Sequence, residues 1–128
     1  MEIFVRSLVV ASLCLMANVS CASTPQEADR PPALNCEIGP LHKTYGETAW
    51  LVYACDDSRS VVVVSDTGNP AMPFYFIVYV KPDGSMKLYG EGTGKKSATK
   101  AAFDELQTLT LADISGLIDQ AQSVGRAQ

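Results

Sequence analysis

The sequence is poor in histidine, tryptophan and cysteine, with one, one and four in 128 residues, and it has no excess of positive charge. Each shortage removes a class of function. The lone histidine, His42, has no further His or Cys spaced to complete a four-ligand metal site, so no metal and no cofactor are expected. A Ser–His–carboxylate triad would set His42 beside an activated serine, yet Ser58, Ser60, Ser65 and Ser85 carry no nucleophile elbow. Paired carboxylates occur at Asp56-Asp57, in a turn, and at Asp104-Glu105. Sequence neighbours point apart on a strand or helix, so neither pair makes an acid/base couple, and Asp56-Asp57-Ser58 lacks the rest of a calcium loop. The reading is therefore not an enzyme. Ten basic against fourteen acidic residues leave a net charge of −4, and only Lys95, Lys96 and Lys100 cluster. Nucleic-acid binders neutralise phosphates with a stripe of Lys and Arg, so nucleic acid is not expected as a partner.

The one long apolar run is at the start. Arg6 and the amino terminus supply positive charge, Ser7 to Val19 are apolar, and small residues follow to Ala22. This is the layout of a secretory signal over 1–22. Thirteen helical residues cover about 20 Å, less than the ~30 Å hydrocarbon core of a bilayer. Two endings stand open. Cleavage after Ala22 would use Ser20 and Ala22 as the small residues; alternatively, Val19-Ser20-Cys21 resembles the end of a bacterial lipoprotein signal, with Cys21 lipidated. Asn18 stands where such signals usually carry Leu. The polar, Pro-rich segment 23–32 reads as a flexible tether, and a lipid on Cys21 would be the sole membrane attachment.

Removal of the signal leaves two cysteines in the expected domain, Cys36 and Cys55. In an oxidising compartment such a pair reads as a disulfide.

The domain is expected over 33–122, with a tail at 123–128. Ala49–Cys55 and Ser60–Ser65, the latter with four consecutive valines, read as a hairpin around the turn Asp56–Arg59. Phe74–Val80 reads as a central strand, and Lys81–Ser85 as a turn in which Pro82 presets φ and Gly84 takes a positive one. Met86–Gly90 returns as a fourth strand, with an optional fifth around Lys43–Tyr45. After residue 97 the apolar period changes from two to 3.6. Ala98, Ala102, Leu106 and Leu109 form one stripe; Ile114, Leu117, Ile118 and Ala121 form another, opened by a capping box of Thr110 and Asp113. The fold class is thus α+β: an antiparallel meander of four strands, or five, with two short C-terminal helices on one face and one disulfide.

The stretch GEGTGKKS, residues 90–97, invites a phosphate-loop reading. A Walker loop would require Gly at 89 and Ser or Thr at 96, where this chain has Tyr89 and Lys96; a dinucleotide loop would require Gly at 95. No nucleotide is expected. The plainer reading is a solvated turn in which Gly90, Gly92 and Gly94 take the chain from sheet to helix and Ser97 caps the helix; the functional alternative is that Lys95 and Lys96 meet something acidic.

Strand alternation places Phe74, Phe76, Val78 and Val80 on one face and Tyr75, Ile77 and Tyr79 on the other, with Tyr53 beside the latter. If the helices cover the phenylalanine face, Tyr53, Tyr75 and Tyr79 form an exposed recognition surface. The stretches CDDSRSVVVV, NPAMPFYF and YGEGTGKKSATKAA resemble parts of small exported proteins of Gram-negative bacteria. The resemblance implies an envelope location and carries over no site residue.

The expectation is a non-enzymatic envelope protein, periplasmic or lipid-anchored, that binds another envelope or exported protein as an inhibitor or immunity-like module. Its binding residues would be Tyr53, Tyr75, Tyr79, Lys95 and Lys96. The alternatives are a binder of a small ligand or envelope polymer in a sheet–helix pocket rimmed by lysine, and an enzyme of unrecognised type.

Overall fold

A computed structural model describes residues 33–127. The signal, Cys21 and the tether to residue 32 lie outside the described residues. Five strands form one antiparallel sheet in chain order: β1 (Ile38–Tyr45), β2 (Thr48–Ala54), β3 (Val61–Ser65), β4 (Phe74–Val80) and β5 (Met86–Gly92). Two helices follow, α1 (Lys96–Leu106) and α2 (Leu111–Ala127). The fold is α+β, with the fifth strand present.

β5 runs two residues past Gly90, and three further elements differ from the sequence reading. β1 is eight residues long rather than a short piece at Lys43–Tyr45. Gly39 and Pro40 hide it in the sequence. In the fold they sit at a register irregularity between Ile38 and Leu41, where Gly39 has φ +142° and the Gly39–Pro40 peptide is cis. A Cβ at Gly39 would lie 2.8 Å from the Val52 carbonyl oxygen. Only glycine fits that close approach. Second, α2 runs through Gly125 to Ala127, past residue 122, because an exposed helical glycine costs only about 1 kcal/mol against a helix already anchored by packing. Third, α1 starts at Lys96, two residues earlier than expected, so Ser97 lies inside the helix and is not its cap.

The β1–β2 turn went unread in the sequence. Gly46 (φ 57°) and Glu47 (φ 64°) take the two left-handed conformations of a tight hairpin. The Gly46 N–H donates to Glu105 Oε2 of α1 at 2.6 Å, which ties the hairpin tip to the helix. The expected capping box is formed: the Thr110 N–H donates to Asp113 Oδ2 at 2.8 Å, and the Asp113 N–H donates to Thr110 Oγ1 at 3.2 Å.

Alternation decides which face is core. Trp50, Val52, Ala54, Val61, Val63, Phe76, Val78 and Val80 are buried against Ala98, Ala102 and Leu106 of α1 and Ile114, Leu117, Ile118 and Ala121 of α2. Trp50 is fully buried, with its ring 5.4 Å from Phe76 and its indole N–H donating to the Tyr45 carbonyl at 3.0 Å. Burial pushes the Tyr45 phenol up to about 12, and the carboxylates of Glu105 and Asp113 add to that. The Cys36–Cys55 disulfide closes the open end of the β1–β2 hairpin. Beside it the Asp56 N–H donates to the Asn35 carbonyl at 2.7 Å.

Candidate functional site

The helices leave the other face of the sheet bare of any described element. Register assembles that face into cross-strand rows. His42, Leu51, Val64, Tyr75 and Glu91 stand side by side across all five strands, and Tyr53, Val62, Ile77 and Tyr89 form the next row. Tyr79 pairs with Lys87 beyond them. Side chains in such rows shield one another, so Leu51, Tyr53, Val62, Val64, Ile77, Tyr79 and Tyr89 are half-buried without a covering layer. Among the tyrosines of this face Tyr75 is the most open, 37% exposed, and Met72 beside the same end is 51% exposed.

Local contacts hold the tyrosines in place. The Tyr75 hydroxyl donates to Glu91 Oε2 at 2.8 Å, and this bond first, then burial, raises its pKa. Lys87 Nζ stands 4.9 Å from the Tyr89 ring centroid, a cation–π contact on β5. His42 Nδ1 lies 3.6 Å from Asp66 Oδ2, an exposed contact at the β1 edge. An apolar hollow of about 330 Å³ lies between Val64, Met72, Tyr75 and Glu91 at the Tyr75 end.

The three predicted tyrosines therefore share one surface, with Tyr53 on β2 separated from Tyr75 and Tyr79 by the valines of β3. The two predicted lysines do not join them. Lys95 and Lys96 open α1, on the helix-bearing side of the sheet. Alternation along the sequence already set Ile77 on this face, though not among the binding residues, while Val62, Val64 and Tyr89 join it only through the register. Four consecutive valines have no face until register assigns one: Val61 and Val63 point into the core, Val62 and Val64 out.

The glycine-rich loop has a structural explanation. β5 stays in the sheet as far as Gly92, opposite Phe74, so the chain leaves the sheet later than Gly90. The N–H groups of Thr93 and Gly94 donate to the Pro73 carbonyl, and that of Lys95 to the Pro70 carbonyl at 3.1 Å. Donors that a phosphate loop aims at its ligand are thus taken up by the β3–β4 connection. Gly94 is required there because a Cβ would fall on the Ala71 carbonyl oxygen. Asn69 secures the connection from inside: its side-chain amide donates to the Ala49 carbonyl at 2.6 Å and its carbonyl oxygen accepts from the Ala71 N–H at 2.9 Å.

Among the described residues no group of three or more His, Cys, Asp or Glu is placed to hold a metal ion, and no helix is long and apolar enough to cross a membrane. No protein-family model matches the chain, and neither a curated protein nor a solved structure matches it.

Proposed function

We propose that the protein is a small exported envelope protein that binds another protein through the bare face of its sheet, as an inhibitor or immunity-like module. The observation that carries the reading is the tyrosine-bearing face itself, five strands wide and without a described covering layer. Strands spaced ~4.8 Å apart and rising ~3.3 Å per residue make it about 24 Å by 20 Å in projection, somewhat over half of the ~800 Å² that one partner gives to a standard protein–protein interface. Tyr53, Tyr75, Tyr79 and Tyr89 combine apolar rings with polar tips, the composition of interface centres. Export is supported by the pattern of residues 1–22 and by the disulfide, which persists in oxidising compartments.

The test is site-specific photo-crosslinking in cells, with the crosslinker at Tyr79 or, as a control on the helix side, at Asp119. One discrete adduct from Tyr79 and none from Asp119 is expected. The purified partner should lose at least about tenfold in affinity for Tyr75→Ala with Tyr79→Ala, equal to about 1.4 kcal/mol, with an unchanged melting temperature. Equal adducts from both positions, or an unchanged affinity, would sink the proposal.

A further inference from the structure

The helix-bearing side of the sheet is not covered evenly. α2 packs over β1, β2 and β3, and α1 packs against β1. Between α1 and the β4–β5 end an open groove of about 460 Å³ remains. Its floor is Phe74, Phe76 and Gly90, its wall is Phe103, and Lys96 and Lys100 stand at its rim.

The floor is built to be aromatic and shallow. The rings of Phe74 and Phe76 are 4.9 Å apart, and Phe103 is 6.4 Å from Phe76. A Cβ at Gly90 would press on both floor rings at 3.0 Å, so glycine lets them lie against β5. Phe103 stays 38% exposed over this floor, while Ala98, Ala102 and Leu106 make the helix's buried stripe. The wall is therefore an aromatic ring that the core does not use.

The rim is cationic. Lys96 and Lys100 are four residues apart, on one face of α1. The first turn of α1 has no acidic residue and no side-chain cap, whereas α2 has both Asp113 and its capping box. Lysine at a helix start opposes the helix dipole, so the field at this end is positive twice over. No carboxylate lines the groove. Lys100 pairs with Asp104 at 2.7 Å, but on the solvent side, where such a pair is worth little and exchanges readily.

An apolar aromatic floor with two ammonium groups at one end is complementary to a molecule with the reverse arrangement. We propose that this groove binds a single-chain amphiphile with a carboxylate head, of the fatty-acid type, its chain over Phe74, Phe76 and Phe103 and its carboxylate at Lys96 and Lys100. The volume falls within the ~300–1,000 Å³ of small-molecule sites. This site lies on the opposite side of the sheet from the tyrosine surface, and its ligand is independent of any protein partner.

The test titrates the purified protein with decanoate below its micelle-forming concentration, with decanol as the uncharged control. Amide chemical shifts locate the site and Trp50 emission follows occupancy, since Trp50 touches the floor ring Phe76. Saturable decanoate binding is expected, with shifts centred on Phe74, Gly90, Lys96 and Phe103. Lys96→Gln with Lys100→Gln should weaken decanoate at least about tenfold and leave decanol within about twofold, whereas Phe103→Ala should weaken both. All three residues are exposed, so these variants should fold, and their melting temperatures provide the check. The proposal is overturned by non-saturable binding, by shifts centred on the tyrosine face, or by lysine variants that hold decanoate as tightly as the wild type. Binding to anionic phospholipid vesicles without saturable decanoate binding would overturn it too, marking the lysines as a membrane-surface patch.

Discussion

At the scale of single residues, the turn between β2 and β3 is organised by Asp57. Its Oδ1 accepts from the N–H groups of Arg59 at 3.0 Å and Ser60 at 2.8 Å, and its Oδ2 accepts from the Ser60 hydroxyl at 2.6 Å. The Ser60 Oγ in turn accepts from the Val80 N–H at 3.0 Å, which joins the start of β3 to the end of β4. Burial pushes the Asp57 carboxyl up, but the Ser60 hydroxyl, the two amides and the Arg59 guanidinium together outweigh burial and hold it below the ordinary carboxylate value. The folded chain therefore binds the Asp57 proton more weakly than the unfolded chain does. The stability this supplies is present above the unfolded pKa of about 3.9 and is lost as pH falls through the lower, folded value. Asp57→Asn should cost about 1–2 kcal/mol at pH 7, because a side-chain amide nitrogen cannot accept from the Ser60 hydroxyl. Urea titrations of both proteins from pH 7 down to 2.5 should show their difference shrinking below about pH 4. A difference that stays constant would show that the charge on Asp57 contributes nothing.

At the scale of elements, the two helices begin differently, and the difference separates structure from function. α2 starts at a satisfied capping box and presents a continuous stripe of Ile114, Leu117, Ile118 and Ala121 to the sheet. Thr110→Ala should lower stability by about 1 kcal/mol and leave ligand binding untouched; a thermal melt measures the first and the decanoate titration the second. A loss of ligand affinity alongside the cap would mean that α2 helps shape the groove. α1 has no such start, and the charges of Lys95 and Lys96 oppose the helix dipole at that end. Helix periodicity and the capping box are local properties of a few consecutive residues, so they were legible in the chain itself. The position of β1 was not, because Gly39-Pro40 is a strand breaker in isolation and becomes an acceptable irregularity only beside β2.

At the scale of the whole molecule, the described residues put both helices on one side of the five-stranded sheet and no element on the other. The small core also needs its cross-link. The disulfide spans 19 positions and fastens the edge hairpin, whose β1 carries much of the packing with α2. Replacing Cys36 and Cys55 by Ser should lower stability by about 3 kcal/mol in the chain-entropy account. For a domain of this size that is a fall of roughly 12–24 °C in melting temperature, measured by circular dichroism. A fall of less than about 4 °C would mean that the hairpin is held by packing alone.

By itself the amino-acid sequence determined what depends on neighbours in the chain: the alternation that separates Phe76 from Tyr75, the turn at Lys81–Ser85, the helical stripes, the Thr110–Asp113 cap and the pairing of Cys36 with Cys55. The tertiary structure alone decided what depends on contacts between distant segments. Register chose which valines of β3 join the tyrosine face. Packing of the Pro70–Pro73 carbonyls against residues 93–95 turned a loop that resembles a phosphate cradle into a joint between sheet and helix. The same joint brings Lys96 to the groove, on the side of the sheet away from the tyrosines. A side chain's face follows from its own strand, but its companions follow from strands that lie tens of residues away.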